Sequence, residues 1–272
     1  MSLSTNMPTN QLAPPAHSAE PSNEVVRVYW EKNPCGASRK LVGNVPELSR
    51  EWFERIEEYR YSVEPFIHSV AQFTRYSGKK VLEIGVGAGT DHLQWARAGA
   101  ECYGVDLTET AVQITRSRLE MYGLHSELQR ADAEHLPFPD GSFDLVYSWG
   151  VIHHSADPAQ VIREIKRVLK PNGRFVGMMY GRHSLKVLKT WAWFALGRGK
   201  PWSTFSDVIW NNVESKGTKA YTIRELRTLF SEFREFSAQP ILTIYDTRML
   251  PKAFCKFVPD DWGWFIAIRA QA

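Results

Sequence analysis

The chain has 272 residues, with 33 Lys and Arg against 30 Asp and Glu for a formal net charge of +3 at pH 7. So small an excess leaves no electrostatic footprint for nucleic acid, while 43% hydrophobic residues are enough for a sizeable core. Cys35, Cys102 and Cys255 stand far apart with no Cys-x-x-Cys, so neither a metal frame nor a disulfide scaffold is expected. No basic stretch followed by an apolar run opens the chain, and no apolar run approaches about 18 residues. The expected location is the cytoplasm.

In residues 1–24, Pro8, Pro14, Pro15 and Pro21 lie among Ser, Thr and Asn, which predicts a disordered tail. The composition turns apolar at Val25. Between Glu47 and Phe73 the spacing is helical, with Trp52, Ile56 and Tyr59 on one face and Pro65 as a break. Residues 25–77 therefore read as a helical cap, followed by the main domain over 78–272. The aromatics beside the turn in Tyr29-Trp30-Glu31-Lys32-Asn33-Pro34-Cys35-Gly36 suit a closing loop, with Tyr29 toward a substrate.

Val81, Leu82 and Ile84 predict a buried parallel strand that runs into Gly85, Gly87 and Gly89 and then a helix over Thr90–Ala98. A strand, glycine loop and helix in that order predict a nucleotide-type cofactor at the end of the strand. A dinucleotide fingerprint needs Gly or Ala where Thr90 stands, and a phosphate loop needs a Lys that is missing before Arg97. Glu83, two residues before the first glycine, suits a cationic ligand better than a pyrophosphate. The run Glu83-Ile84-Gly85-Val86-Gly87-Ala88-Gly89 resembles motif I of the class I S-adenosylmethionine-dependent methyltransferases, with Val86 and Ala88 where polar residues are more usual.

The next segments extend that resemblance. Glu101–Asp106 reads as a second strand ending in an acid 21 positions after Gly85, placed to accept from ribose hydroxyls; the alternative is a cap on a helix over Thr108–Tyr122. Leu107 follows it in the implied cofactor set. Leu128–Phe138 resembles the family segment in which an acid, here Asp132, meets the adenine amine while Ala133 offers its N–H. Phe143–Ser148 reads as the fourth strand, bringing Ser148 to the cofactor and Trp149 toward the acceptor. Pro171-Asn172-Gly173 is a predicted turn before a strand over Arg174–Tyr180, with Tyr180 at the acceptor end. His153-His154 and the 169–173 turn look most like small-molecule methyltransferases related to the ubiquinone and menaquinone biosynthesis enzymes.

Residues 182–221 form an expected helical insertion. Arg182, Lys186, Lys189, Arg198 and Lys200 accompany Leu185, Leu188, Trp191, Trp193 and Phe194, and no acid appears before Asp207. Over 182–200 this is either a basic amphipathic lid that touches a membrane surface or a helix packed on the body. Thr222 with Glu225 predicts a capping box before a helix over Ile223–Phe230. Strands near Phe233–Ile244 and Trp262–Ile268 follow. The fold class is thus α/β, a Rossmann-like doubly wound sheet whose seven strands end, in this family, in an antiparallel one.

The resemblance implies S-adenosylmethionine as cofactor and methyl transfer to oxygen or carbon of a small, partly apolar acceptor. Nucleic acid is an unlooked-for substrate: Ser148-Trp149-Gly150-Val151 stands where base-modifying relatives carry Asn or Asp followed by Pro-Pro and an aromatic. In-line displacement needs alignment and dryness above all, worth about 7–11 kcal/mol. A base is needed only for a protonated acceptor, and His153 or His154 is the expected one, with at most one facing the pocket. Arg60 and Tyr61 are expected either at the methionine carboxylate or in a helix-surface salt bridge. The alternatives are an S-adenosylmethionine-binding protein without transferase activity and a nicotinamide-dependent oxidoreductase, the latter disfavoured by Thr90.

Overall fold

The computed structural model describes residues 22–34, 42–248, 257–259 and 261–272. The expected tail over 1–21 lies outside these residues, as do Cys35 and Cys255. Asn23 and Glu24, expected in the tail, instead open helix α1 (Asn23–Lys32). The cap continues as α2 (Arg50–Val63) and α3 (Ile67–Ala71), separated at Pro65 as its ring geometry demands. The Ser49 side chain accepts from the Trp52 N–H and so caps α2.

The main domain alternates strand and helix: β1 (Lys80–Ile84), α4 (Thr90–Arg97), β2 (Glu101–Asp106), α5 (Glu109–Met121), β3 (Glu127–Arg130) and β4 (Phe143–Trp149). Then come α6 (Pro158–Val168) and β5 (Leu169–Tyr180), the insertion helices α7 (Leu185–Phe194) and α8 (Phe205–Asn212), α9 (Ile223–Leu229), β6 (Glu235–Ile241), the single turn α10 (Ile244–Thr247) and β7 (Phe265–Gln271). The seven strands form one sheet in the order β3-β2-β1-β4-β5-β7-β6, with β7 antiparallel to both neighbours. The chain moves outward from β1 to β3, then returns to place β4 on the other side of β1. That reversal opens a crevice at the carboxyl ends of β1 and β4, where open α/β sheets bind ligands.

Successive residues on the central strands face opposite layers, so their apolar runs fill two cores. Val81, Leu145 and Val176 pack with Trp95, Tyr147 and Phe73 on one side. Leu82, Val146 and Phe175 pack with Ile162, Ile165 and Phe230 on the other. A third cluster joins Trp52, Phe53 and Ile56 of α2 to Ala88 in the glycine loop and Ile114 of α5.

Three expected boundaries move. Pro171-Asn172-Gly173 is not a turn before β5 but an irregularity inside it: pairing jumps from Phe143–Leu169 to Leu145–Arg174, and Asn172 sits at φ 66°. β6 ends at Ile241 because Thr243 and Asp246 form a capping box that starts α10. β7 begins at Phe265, three residues later than expected from Trp262. The capping box of Thr222 with Glu225 is present as read.

Buried polar groups knit the additions to the sheet. Asp246 is fully buried and accepts from the N–H groups of Lys186, Thr243 and Trp264, joining α7, α10 and the approach to β7. Arg118 of α5, also fully buried, donates to the carbonyls of Ala88 and Phe53, to Thr90 Oγ1 and to Glu57 Oε2 at 2.6 Å. It thereby holds the cap against the glycine loop. No helix among the described residues is long and apolar enough to cross a membrane.

Arg118→Met keeps the volume but strands these acceptors, and is expected to cost about 2–4 kcal/mol, because removing one partner leaves buried groups unpaired. Chemical denaturation checks this; an unchanged midpoint would mean that α2 docks by its apolar face alone.

Candidate active site

A cavity of about 330 Å³ lies at the crevice, within the size range of small-molecule sites. Its floor is the loop after β1. Gly85 has φ 80°, and a Cβ there would lie 2.2 Å from Val151 Cγ2, so only glycine lets the loop pass under the chain leaving β4. At Gly87 no atom lies within 4 Å of where a Cβ would be, so that position opens to the cavity. Gly89 does not line the cavity, contrary to its expected place in the cofactor set. Its Cβ would meet Thr115 Oγ1 at 2.9 Å, so glycine there serves the packing of α4 on α5.

Asp106 closes the end of β2. Its Oδ2 accepts from Gly87 N at 3.1 Å, and its Oδ1 accepts from the N–H and hydroxyl of Thr108. Thr108, not Asp106, caps α5. Burial pushes the Asp106 carboxyl above its ordinary range, against the hydrogen bonds it accepts. Leu107, Asp132 and Ala133 line the same end. Asp132 accepts from Glu134 N and from the Asn23 side chain, which itself accepts from Ala156 N. Asn23, Val26 and Trp30 all reach the cavity because their spacing puts them on one face of α1. Tyr29, expected at the substrate, lies off that face and outside the lining. Ser148, expected at the cofactor, is fully buried and donates to the Ile84 carbonyl at 3.1 Å; it joins β4 to β1 instead.

Glu83 lines the cavity and meets His92 Nδ1 at 3.1 Å. The donors settle which atom holds the proton. Ser126 gives its hydroxyl proton to the Cys102 carbonyl and so accepts from His92 Nε2 at 2.8 Å. Neutral His92 then accepts at Nδ1, and Glu83 must donate. Burial acts in that same direction, raising Glu83 well above the carboxylate range and lowering His92 to about 4. Burial thus favours the neutral acid where the sequence aims a carboxylate at a cation.

Beside it, Arg60 Nε donates to Asp91 Oδ1 at 2.9 Å, and the hydroxyls of Tyr61 and Tyr147 also donate to Asp91. Arg60 thus forms an internal pair while lining the cavity, not a salt bridge on the helix surface. Among the described lining residues it is the only Lys or Arg, against Glu64, Glu83, Asp91, Asp106 and Asp132. Such a donor set fits a ligand with hydroxyls, an amine and positive charge, and offers little to a pyrophosphate.

The lining away from the glycine loop is more apolar, with Trp30, Val63, Trp149, Ile152 and Tyr245, while Ile56 lies against Ala88 of that loop. Glu64, the residue that ends α2, is buried there. Its Oε2 accepts from Trp149 Nε1 at 2.8 Å and lies 3.9 Å from Arg60 Nη1. Burial raises its pKa above the ordinary value. Nothing in the sequence singled out Glu64, because a glutamate before a proline reads as a helix end.

The two histidines part company. His154 lines the cavity, with Nδ1 at 3.0 Å from Thr218 Oγ1 and Nε2 at 3.1 Å from Glu214 Oε2. Nδ1 is held by the hydroxyls of Thr218 and Ser215, whereas Nε2 lies near the Glu214 carboxylate without a well-formed hydrogen bond. His153 does not reach the cavity: it is fully buried, stacks on Tyr180 at 3.8 Å, and is held neutral by desolvation. Tyr180, expected at the acceptor, is likewise outside the lining, since its ring packs between His153 and Trp264 and its hydroxyl donates to Glu214. Donor atoms of His153, His154 and Glu214 lie within 4.8 Å of one another, a grouping that spans the insertion and was not foreseen from the sequence.

Residues 82–177 match the methyltransferase domain family. That stretch of the chain carries a methyltransferase domain. The domain is 41% identical over 98 residues to the uncharacterized methyltransferase YcgJ of Bacillus subtilis, covering 36% of this chain and 39% of that protein. It is 30% identical over 131 residues to the ubiquinone biosynthesis O-methyltransferase of Pseudomonas aeruginosa, covering 47% of this chain and 56% of that enzyme. The chain therefore spans only about half the length, or less, of these curated relatives. An S-adenosylmethionine-dependent methyltransferase from Mesorhizobium loti has a related structure, with TM-score 0.54, 18% identity and 76% of this chain and 97% of that one covered. The [4+2]-cyclase SpnF superposes with TM-score 0.61 and 16% identity, covering 92% of this chain and 97% of that one. At these identities the likeness is one of fold. S-adenosylmethionine is the cofactor of the methyltransferase domain's class.

A neutral Glu83 has a stated pH signature. A carboxyl whose pKa is raised on folding adds stability below its ordinary pKa and loses it as pH rises through the folded value. Glu83→Gln keeps a donor for His92 without a titrating proton. The cofactor-free variant is expected to lose less stability than the parent between pH 5 and pH 8 in urea titrations. A variant less stable than the parent only at pH 8 would show Glu83 to be ionised.

Proposed function

We propose that this protein transfers a methyl group from S-adenosylmethionine to oxygen or carbon of a small, partly apolar acceptor. The observation that carries this reading is one continuous cavity with an acid-lined half at the β1–β2 loop ends and an apolar half around Trp149 and Glu64. Asp106 would hold the ribose hydroxyls, Asp132 the adenine amine with Leu107 and Ala133 at the ring, and the Gly85–Gly87 backbone the remainder. When bound, the cofactor supplies a methyl already activated on a positively charged sulfur.

The chain's own work is alignment, exclusion of water and, for a hydroxyl acceptor, removal of one proton. Trp30 and Val26 of α1 close the cavity from above, tied down by Asn23 to Asp132 and by Glu31 to Thr110. Glu64 Oε1 is the basic atom open to the acceptor half, with Trp149 fixing the other oxygen. A raised carboxyl pKa in a dry site suits proton uptake from a hydroxyl, an effect worth about 10²–10⁴-fold. His154 forms the neighbouring wall, its Nδ1 fixed by Thr218 and its Nε2 turned toward the Glu214 carboxylate. In this reading residues 25–77 cap a catalytic unit over 78–272, with 182–221 inserted, and the enzyme works in the cytoplasm.

The likeness in fold to a cyclase keeps cofactor binding without methyl transfer as the second reading. The cavity's lack of free cations weighs against a nicotinamide dinucleotide.

Two measurements divide these readings. S-adenosylhomocysteine is expected to raise the melting temperature while NAD does not. Asp106→Ala is expected to weaken S-adenosylhomocysteine binding by roughly ten- to a hundred-fold, the loss of hydrogen bonds to a charged acceptor. With methyl-labelled cofactor and a panel of alkyl-substituted phenols, Glu64→Gln is expected to lower turnover by about 10²-fold or more with cofactor affinity unchanged. Unchanged turnover would remove Glu64 from the chemistry, and weakened S-adenosylhomocysteine binding would move it to the methionine amine.

A further inference from the structure

Between α7 and α8 the insertion ends in a tip whose surface is unlike the rest of the protein. Trp193 is 74% exposed, Trp202 75% and Leu196 51%. Arg198 and Lys200 are exposed among them, and the sequence has no Asp or Glu from Arg182 until Asp207. We propose that this tip, residues 193–202, docks the protein on an anionic phospholipid surface.

The tip is built, not loose. Trp191 Nε1 donates to the Ser203 carbonyl at 2.7 Å, and Lys200 N donates to the Ala195 carbonyl at 2.8 Å. These bonds fold 196–203 back on the end of α7 and bring Trp202 to the same end of the insertion as Trp193. Gly199 makes the reversal at φ 67°. The Arg198 guanidinium lies 4.7 Å from the centroid of the Phe194 ring, which leaves its charge at the surface. Leaving two tryptophans and a leucine in water-facing positions has no packing return within the chain. Indole rings beside exposed cations are instead suited to the boundary between lipid headgroups and acyl chains.

The structure also narrows which charges take part. Arg182 is spent on Glu225 and the Ala220 carbonyl, and Lys189 on the carbonyls of Tyr245 and Asp246. The docking charges are therefore Arg198 and Lys200, not the whole basic run over 182–200. Charge also favours lipid over a second copy: a self-complementary contact at this tip would set like cations near each other with no acid to meet them. The Lys189 bond to the Tyr245 carbonyl ties the docking helix to a residue of the cavity wall. If the acceptor reading above holds, an apolar acceptor leaving lipid would meet the cavity there; the docking itself does not depend on it.

The test is co-sedimentation of the full chain with phosphatidylcholine vesicles and with mixed phosphatidylcholine–phosphatidylglycerol vesicles, at low and high salt. Binding is expected to the mixed vesicles only, weakened roughly tenfold or more by high salt as screening reaches exposed charges. The pairs W193S/W202S and R198E/K200E are each expected to lower vesicle binding by roughly tenfold or more. Both should retain the parent's melting temperature and S-adenosylhomocysteine affinity. Absence of binding to anionic vesicles, or binding that survives both variant pairs, would overturn the proposal. So would a concentration-dependent dimer in light scattering that W193S/W202S abolishes, since a second copy would then cover the tip.

Discussion

The cavity depends on how closely the chain leaving β1 passes the chain leaving β4. At Gly85 the two come so near that a Cβ would sit 2.2 Å from Val151. That approach is possible because the strand order reverses at β1, which separates β2 from β4 and leaves their carboxyl ends on either side of one crevice. Asp106 then arrives from β2 and Trp149 from β4, with the glycine loop between them. A bulkier residue at position 85 would lift the loop and displace both walls together.

The electrostatics follow from the same closeness. Carboxyl groups crowded into a dry crevice cannot all be ionised, and the fold divides them. Asp91 keeps its charge through Arg60 and two tyrosine hydroxyls, while Glu83 shares a neutral contact with His92. Asp106 takes backbone and hydroxyl donors, and Glu64 takes the Trp149 N–H with Arg60 Nη1 3.9 Å away. Each acid thus differs in what it has left to offer a ligand. Arg60 is occupied by Asp91, so the cavity presents acceptors and apolar walls and almost no free positive charge.

Much of the cofactor half was legible because its signals are local: a strand pattern, glycines at fixed spacing, and acids at strand ends. The capping box at Thr222 was legible for the same reason. Side-chain direction was not. Ser148 and Trp149 are neighbours on β4, yet one points into the sheet and the other into the cavity. His153 and His154 divide likewise, and Tyr29 lies one position from Trp30 on the wrong face of α1. Glu64 matters through a bond to Trp149, 85 residues away, which no local pattern encodes. The end of β6 moved because Asp246, buried among donors from Lys186, Thr243 and Trp264, starts a helix where propensity alone continues a strand.

The stretch that matches known methyltransferases, residues 82–177, supplies the cofactor half. Of the acceptor half, Trp30, Glu64 and Tyr245 lie outside it and Trp149 and Ile152 within it. In the proposed reading the shared fold speaks to the cofactor, and the acceptor end is shaped jointly by the cap, the end of β4 and Tyr245, which suits one fold serving a methyltransferase and a cyclase. The measurement that tests this division most directly is a crystal structure with S-adenosylhomocysteine bound. The account expects the ribose hydroxyls on Asp106 and the sulfur facing the pocket of Trp149 and Glu64. A ribose away from Asp106, or a sulfur turned from Glu64 with the acceptor half closed off, would contradict it.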